Sequence, residues 1–195
     1  MTVWGIVLAA GAGRRVGGPK ALLRLEGRSF LAHAAAALSR PGVAGVVAVL
    51  GYDAERVRQA IGPIHDIDVD YVVNEAHATG MLSSILCGLE HAEAQGADAV
   101  LVHPVDHPRV ASATVDRVVA ALNAGGRIVV PSYEGRRGHP AGFTRATWPA
   151  LRAASPDQGA RQVLAEHPDW IVHVAGDAGS ISGVNTPEEY ERLLK

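Results

Sequence analysis

What most constrains the fold of this chain is the period of its hydrophobic residues. "VWGIVL" (Val3–Leu8), "VAGVVAVL" (Val43–Leu50) and residues 69–73, 99–102 and 128–130 are short, rich in β-branched side chains and nearly continuous in apolar character. Strands buried on both faces read this way, whereas a half-solvated strand alternates. Stretches of helical period lie between them. Leu82, Ile85, Leu86 and Leu89 recur at i, i+3, i+4 and i+7, as do Val115, Val118, Val119 and Leu122. Asp53 is placed to cap a helix running through Ile61. In "TPEEYERLLK", Thr186 is the expected N-cap, Pro187 fits the first helical position, and Glu189 completes a capping box. Strand–helix–strand alternation implies right-handed crossovers and a mostly parallel sheet flanked by helices. Residues 136–150 break the rhythm and are expected to add an antiparallel strand, which makes the sheet mixed. The chain has 195 residues, 48% of them hydrophobic, which suffices for one well-buried domain and is short for two. The expected organisation is a single α/β domain over residues 1–195, with no repeat or linker.

Composition then excludes several classes of function. A formal charge of −2 gives no domain-wide basic excess, which argues against a nucleic-acid partner. The apolar run that follows Val3 is too short for a secretory signal, and no stretch reaches membrane-spanning length. The single cysteine, Cys87, rules out an internal disulfide and suits a reducing compartment. It sits in the apolar-periodic "MLSSILCGL" and reads as a small packed thiol rather than a nucleophile. The expected location is cytoplasmic, with no membrane contact.

Against that background, "LAAGAGRRVGGPK" (residues 8–20) is unusual. It follows the first apolar run with four glycines, two arginines and a lysine, and no acid appears before Glu26. In an open α/β sheet, ligands collect beyond the carboxyl ends of the strands, where this loop begins. Glycines let such a loop turn tightly and bring its N–H groups against an anion. Arg15 offers a planar fork for phosphate oxygens and Lys20 a mobile point charge. Two common phosphate loops do not fit. Lys20 precedes Ala21 where a Walker A loop needs Ser or Thr, and Val16 stands where the dinucleotide fingerprint needs glycine.

The string L-A-A-G-x-G-x-R-x-G-x-P-K resembles the signature of MobA-like (GT-A-type) nucleotidyltransferases, and within them the molybdenum cofactor cytidylyltransferases. "TGMLSSILCGL", "PVDHP", "GHPAGF", "DQGAR" and "VNTPEEY" resemble later motifs of that branch, so the likeness runs along nearly the whole chain. The resemblance implies a Rossmann-like GT-A fold and a transfer of a nucleoside monophosphate, with release of pyrophosphate. It implies nucleotide contacts at Leu8, Ala9, Ala10, Gly11, Gly13, Arg15 and Lys20. It also implies a divalent cation, Mg2+ or Mn2+, on Asp106, which follows the fourth buried run and so reaches the same sheet edge. At Asn185 the family usually has a second carboxylate; an amide oxygen still ligates magnesium but adds no charge. The expected catalytic set is Arg15, Lys20 and Asp106, acting by positioning and charge rather than through a covalent intermediate.

Other residues complete the expected site. Gly80, Ser83 and Ser84 open a helix whose donors can hold base or ribose, and Asn74 can read a base edge. His139, preceded by Arg136 and Arg137, and Arg161 of "DQGAR" are the expected acceptor contacts. His103, Asp106 and His107 are close in sequence, but two prolines and the lack of H-x-H or helical H-x-x-x-H spacing argue against a histidine-based metal site. Family usage at Ala10 points to CTP, another nucleoside triphosphate being the alternative, and the branch points to molybdopterin as acceptor. Two other readings stay open: transfer to a sugar or polyol phosphate, and a non-catalytic protein that delivers molybdenum cofactor to a molybdoenzyme client.

Overall fold

The computed structural model of the chain describes residues 1–64 and 67–195. Its strands are β1 (Val3–Leu8), β2 (Arg24–Leu25), β3 (Arg28–Ser29), β4 (Val43–Leu50), β5 (Asp70–Val73), β6 (Ala99–Pro104), β7 (Ile128–Tyr133), β8 (Arg136–Arg137), β9 (Ala141–Thr144) and β10 (Ile171–Ala175). Its α-helices are α1 (Phe30–Leu38), α2 (Ala54–Ile61), α3 (Met81–Ala94), α4 (Ser112–Asn123), α5 (Trp148–Ala153), α6 (Ala160–Glu166), α7 (Ala178–Ile181) and α8 (Pro187–Leu193).

The main sheet runs β10-β7-β9-β6-β1-β4-β5, with β8 attached to β7. β1 pairs in parallel with β4 on one side and β6 on the other. β9 is antiparallel to both β6 and β7, the reversal expected within residues 136–150. The continuous apolar runs earn their burial on both faces. Val3, Ile6, Val7, Val47, Val49, Val100 and Leu101 are inaccessible to solvent. One face is covered through Phe30, Leu31 and Leu38 of α1 and Val115, Val118 and Leu122 of α4. The other packs under Leu82, Ile85 and Leu89 of α3, Trp148 and Leu151 of α5, and Val163 of α6. Each such side chain contributes about 1.5–3 kcal/mol by leaving water. Trp148 donates its indole N–H to the Phe143 carbonyl, so the largest buried ring leaves no polar atom unpaired.

Three local features depart from the sequence reading. Asp53 precedes α2, but its backbone is left-handed (φ 53°) and its carboxylate makes no cap bond, accepting instead from Arg56 at 3.2 Å. β10 has no continuous apolar run, because it is an edge strand with three of its five residues exposed. The β2–β3 hairpin turns through Glu26 (φ 51°) and Gly27 (φ 79°), a two-residue signal that neighbouring polar residues mask. Cys87 is half-buried, and burial followed by the Glu90 charge raises its pKa, so the thiol stays protonated. Among the described residues no helix is long and apolar enough to cross a membrane.

Three chain segments meet at the carboxyl edge of the sheet. β1 runs into residues 9–19, and Val105, just past β6, donates to the Leu8 carbonyl at 3.1 Å. Val184 donates to the Asp106 carbonyl at 2.9 Å, drawing the segment before α8 to the same place. The expected capping box then sets Asn185: Glu189 accepts from the amides of Asn185 (2.6 Å) and Thr186 (3.1 Å), and Glu189 donates its own amide to Thr186 Oγ1 (3.2 Å). Thr186→Ala is expected to lower unfolding free energy by about 1 kcal/mol, with Thr186→Ser nearly neutral, as read by urea denaturation. Equal stability of all three would show that the cap does not hold this corner.

Candidate active site

The loop after β1 is shaped by close backbone approach. Gly13 has φ 58°, and a Cβ there would lie 1.8 Å from the Gly18 carbonyl oxygen. Glycine at 13 permits that approach, and the amides of Val16 and Gly18 fold back onto the Gly13 carbonyl at 2.9 and 3.2 Å. The amides of Gly11, Ala12 and Gly13 donate to no group among the described residues, which leaves them available to an anion. The loop ends in a 3-10 turn, Lys20–Leu22, whose Ala21 is buried and pins the lysine in place.

A cleft of about 290 Å³ opens beside this loop. Of the expected nucleotide contacts, Leu8, Ala10, Gly11, Gly13, Lys20 and Gly80 line it, together with Asp106. Ser84 and His77 also line it, the latter a residue that no motif in the sequence marks. Ala9, Arg15, Asn74 and Ser83 stand outside its walls. The reasons differ. Arg15 is exposed on the 3-10 turn Arg14–Val16 and has no ion-pair partner among the described residues. Asn74 is buried and spends both amide hydrogens on Ser83 Oγ (2.8 Å) and Ser84 Oγ (3.0 Å), while its oxygen accepts from Ala76 N at 2.9 Å. It therefore anchors the start of α3 instead of presenting a base-reading edge. Ser83 turns its hydroxyl to the Gly80 carbonyl at 2.8 Å, which is helix-start chemistry.

Lys20 is the centre of the site. Its ammonium donates to Asp106 Oδ2 at 2.7 Å and to Asn185 Oδ1 at 2.8 Å. Residues from the first loop, the end of β6 and the N-terminal flank of α8 thus converge on one atom. Both partners of the Lys20–Asp106 pair keep under a fifth of their side-chain surface in solvent, so the contact is only partly screened. Two oxygens aimed at one cationic atom are also a suitable donor pair for a hard divalent ion.

Behind Asp106 lies a histidine cluster. The rings of His107 and His139 are 4.9 Å apart and those of His103 and His107 are 6.3 Å apart. Burial holds His103 well below the usual histidine range, and the His139 and His107 rings push the same way. Burial, then His107, takes His139 down to about 4. Burial also lowers His107, against the opposing pull of the Asp106 carboxylate. All three rings are therefore neutral near pH 7. Of the expected acceptor contacts, His139 stands in this cluster with its Nδ1 buried and unpartnered among the described residues. Arg161 is exposed on α6, near enough for its charge to act on His139. A larger depression of about 580 Å³, lined by Arg109, Arg136 and Arg192, holds none of the loop residues and is not the site of the converging charges.

The coupling across the central contact is measurable. In a double-mutant cycle of Lys20→Met and Asp106→Asn, read by urea denaturation, a coupling of about 1–2 kcal/mol is expected. Additive single effects would show that the two side chains do not interact in solution.

Comparison with known proteins bears on the family and the fold. Residues 5–171 match the model of the MobA-like NTP transferase domain. The chain is 37% identical to nicotine blue oxidoreductase of Paenarthrobacter nicotinovorans over 98% of this chain and 96% of that protein. It is 31% identical to a molybdenum cofactor guanylyltransferase of Rhizobium meliloti, covering 94% and 87% of the two chains. Among solved structures it is similar to Rv0371c of Mycobacterium tuberculosis, with TM-score 0.82 and 26% identity over 100% of this chain and 98% of that one. A manganese complex of that protein also matches, with TM-score 0.76 and 27% identity over the same shares.

Proposed function

Because the chain belongs to the MobA-like NTP transferase family, we propose that its cleft binds a nucleoside triphosphate and passes the nucleoside monophosphate to the terminal phosphate of molybdopterin. The observation that carries this reading is the convergence of Lys20, Asp106 and Asn185 beside the free amides of the glycine loop. A phosphate oxygen of the acceptor attacks the α-phosphorus, and the bond to the departing pyrophosphate breaks in line. The amides of residues 11–13 bind phosphate oxygens, and Lys20 leaves Asp106 for the negative charge that builds on the triphosphate. Arg15, on the exposed side of the same loop, adds a charge at the mouth. His139 and Arg161 orient the acceptor. Asp106 and Asn185 would hold the divalent ion, Mg2+ or Mn2+, which when bound draws charge off the phosphates. The manganese complex of Rv0371c supports a divalent ion of this kind.

The base is where residues and relatives divide. Ala10 lies at the cleft wall and its methyl group favours the smaller pyrimidine, hence CTP, whereas the Rhizobium relative is a guanylyltransferase. A second reading has its own support, since the relative at 37% identity is called an oxidoreductase. In that case the cleft would pass electrons rather than a nucleotidyl group, and any redox nucleotide would have to be held without the dinucleotide fingerprint that Val16 breaks.

Pyrophosphate release with each of the four triphosphates, Mg2+ or Mn2+, and molybdopterin separates these readings. Release with CTP is expected, and Lys20→Ala should reduce kcat by about 100- to 1000-fold, the effect of losing one transition-state donor. Release with GTP alone would overturn the choice of base. No release with any triphosphate, alongside oxidation of a reduced nicotinamide dinucleotide, would replace transfer by the second reading.

A further inference from the structure

The Asp106 corner carries one more donor than the two oxygens that hold Lys20. His107 follows Asp106 directly, and its Nε2 lies 3.8 Å from Asp106 Oδ1. Its other ring nitrogen, Nδ1, is 3.4 Å from the Gly179 carbonyl oxygen. A carbonyl only accepts, so the contact to Gly179 is a hydrogen bond in the tautomer with the proton on Nδ1, and in that tautomer Nε2 turns a lone pair toward the carboxylate. Two acceptors then face each other with no hydrogen between them, an arrangement that a cation resolves. Gly183 keeps the space open: a Cβ there would come within 3.0 Å of His107 Nε2 and 3.5 Å of Asn185 Nδ2. Two ligands held at about 2.1 Å from one ion near the tetrahedral angle stand about 3.4 Å apart, somewhat inside the present 3.8 Å gap, which opens on Asp106 Oδ1, the carboxylate oxygen that Lys20 leaves free.

We propose that His107 Nε2 is a third protein ligand, with Asp106 and Asn185, of the divalent ion that accompanies the nucleotide, and that this mixed set selects a first-row transition ion over magnesium. The proposal rests on the nucleotidyltransferase reading of the cleft. One carboxylate and one amide are a thin donor set for magnesium, which prefers charged oxygens; imidazole adds a donor that transition ions favour. Among the described residues no three His, Cys, Asp or Glu side chains form a metal group. Here two such residues, one amide and the phosphate oxygens share the ion. The support behind His107 is built in. Gly179 sits in the first turn of α7, where its amide donates to Asp177 Oδ1 at 2.7 Å, so the carbonyl that orients the ring is itself held. Lys20 occupies the carboxylate until phosphate oxygens draw it away.

The test uses the full chain with Mn2+ and inorganic tripolyphosphate, which contains no nitrogen. Pulsed electron paramagnetic resonance is expected to show imidazole nitrogen modulation on the bound Mn2+. His107→Gln should abolish it and weaken Mn2+ binding about tenfold or more, while changing Mg2+ binding less than about twofold. Wild-type spectra without nitrogen modulation would overturn the proposal, and they decide it even if the variant does not fold. Loss of Mn2+ binding in Asp106→Asn but not in His107→Gln would leave the site standing and remove His107 from it. Unchanged binding in both variants would remove the site as well.

Discussion

A single ammonium group joins three parts of this protein that lie far apart in sequence. Lys20 comes from the loop after β1, Asp106 from the turn after its neighbour β6, and Asn185 from the flank of the last helix. Nothing in local propensity brings them together. The parallel pairing of β1 with β6 sets the first two at one sheet edge, and the bond from Val184 to the Asp106 carbonyl adds the third. The charge relation follows from the neutral amide at Asn185. With one carboxylate in the pair, one lysine balances it.

That balance also explains how the cleft can respond to a ligand. On the proposed function, a triphosphate would bring several negative charges to a loop whose amides are unspent among the described residues, and it would compete with Asp106 for the same lysine. On that function, moving Lys20 would expose two oxygens already aimed at one point, so arrival of the nucleotide would also create the cation site. The neutral histidines behind Asp106 fit this scheme. Charged rings would repel both Lys20 and an incoming ion, and burial keeps the protons off.

Much of the fold was legible because burial on both faces leaves a plain mark. β1 and β4 begin and end where their apolar runs do, and the Thr186 capping box forms as its residues dictate. β10 and the β2–β3 hairpin were not legible, since edge strands and two-residue strands carry no continuous apolar run. At the site, Lys20 and Asp106 could each be singled out by residue type and position. Their direct contact could not, because side-chain direction is set by packing between distant segments. Asn74 shows the opposite failure: its type suits base recognition, yet the fold spends its donors on Ser83 and Ser84. His139 reaches His107 only because β9 returns antiparallel to β6, with Ala141 paired to Val102. Spacing in the sequence says nothing of such a return.

The most direct measurement is a crystal structure with a non-hydrolysable CTP analogue and Mn2+, with the ion located by anomalous scattering. The expected result is a triphosphate on the amides of residues 11–13, the ion on Asp106 and Asn185, and Lys20 turned to phosphate oxygen. A nucleotide bound outside the cleft, or an ion elsewhere with Lys20 still on Asp106, would contradict it.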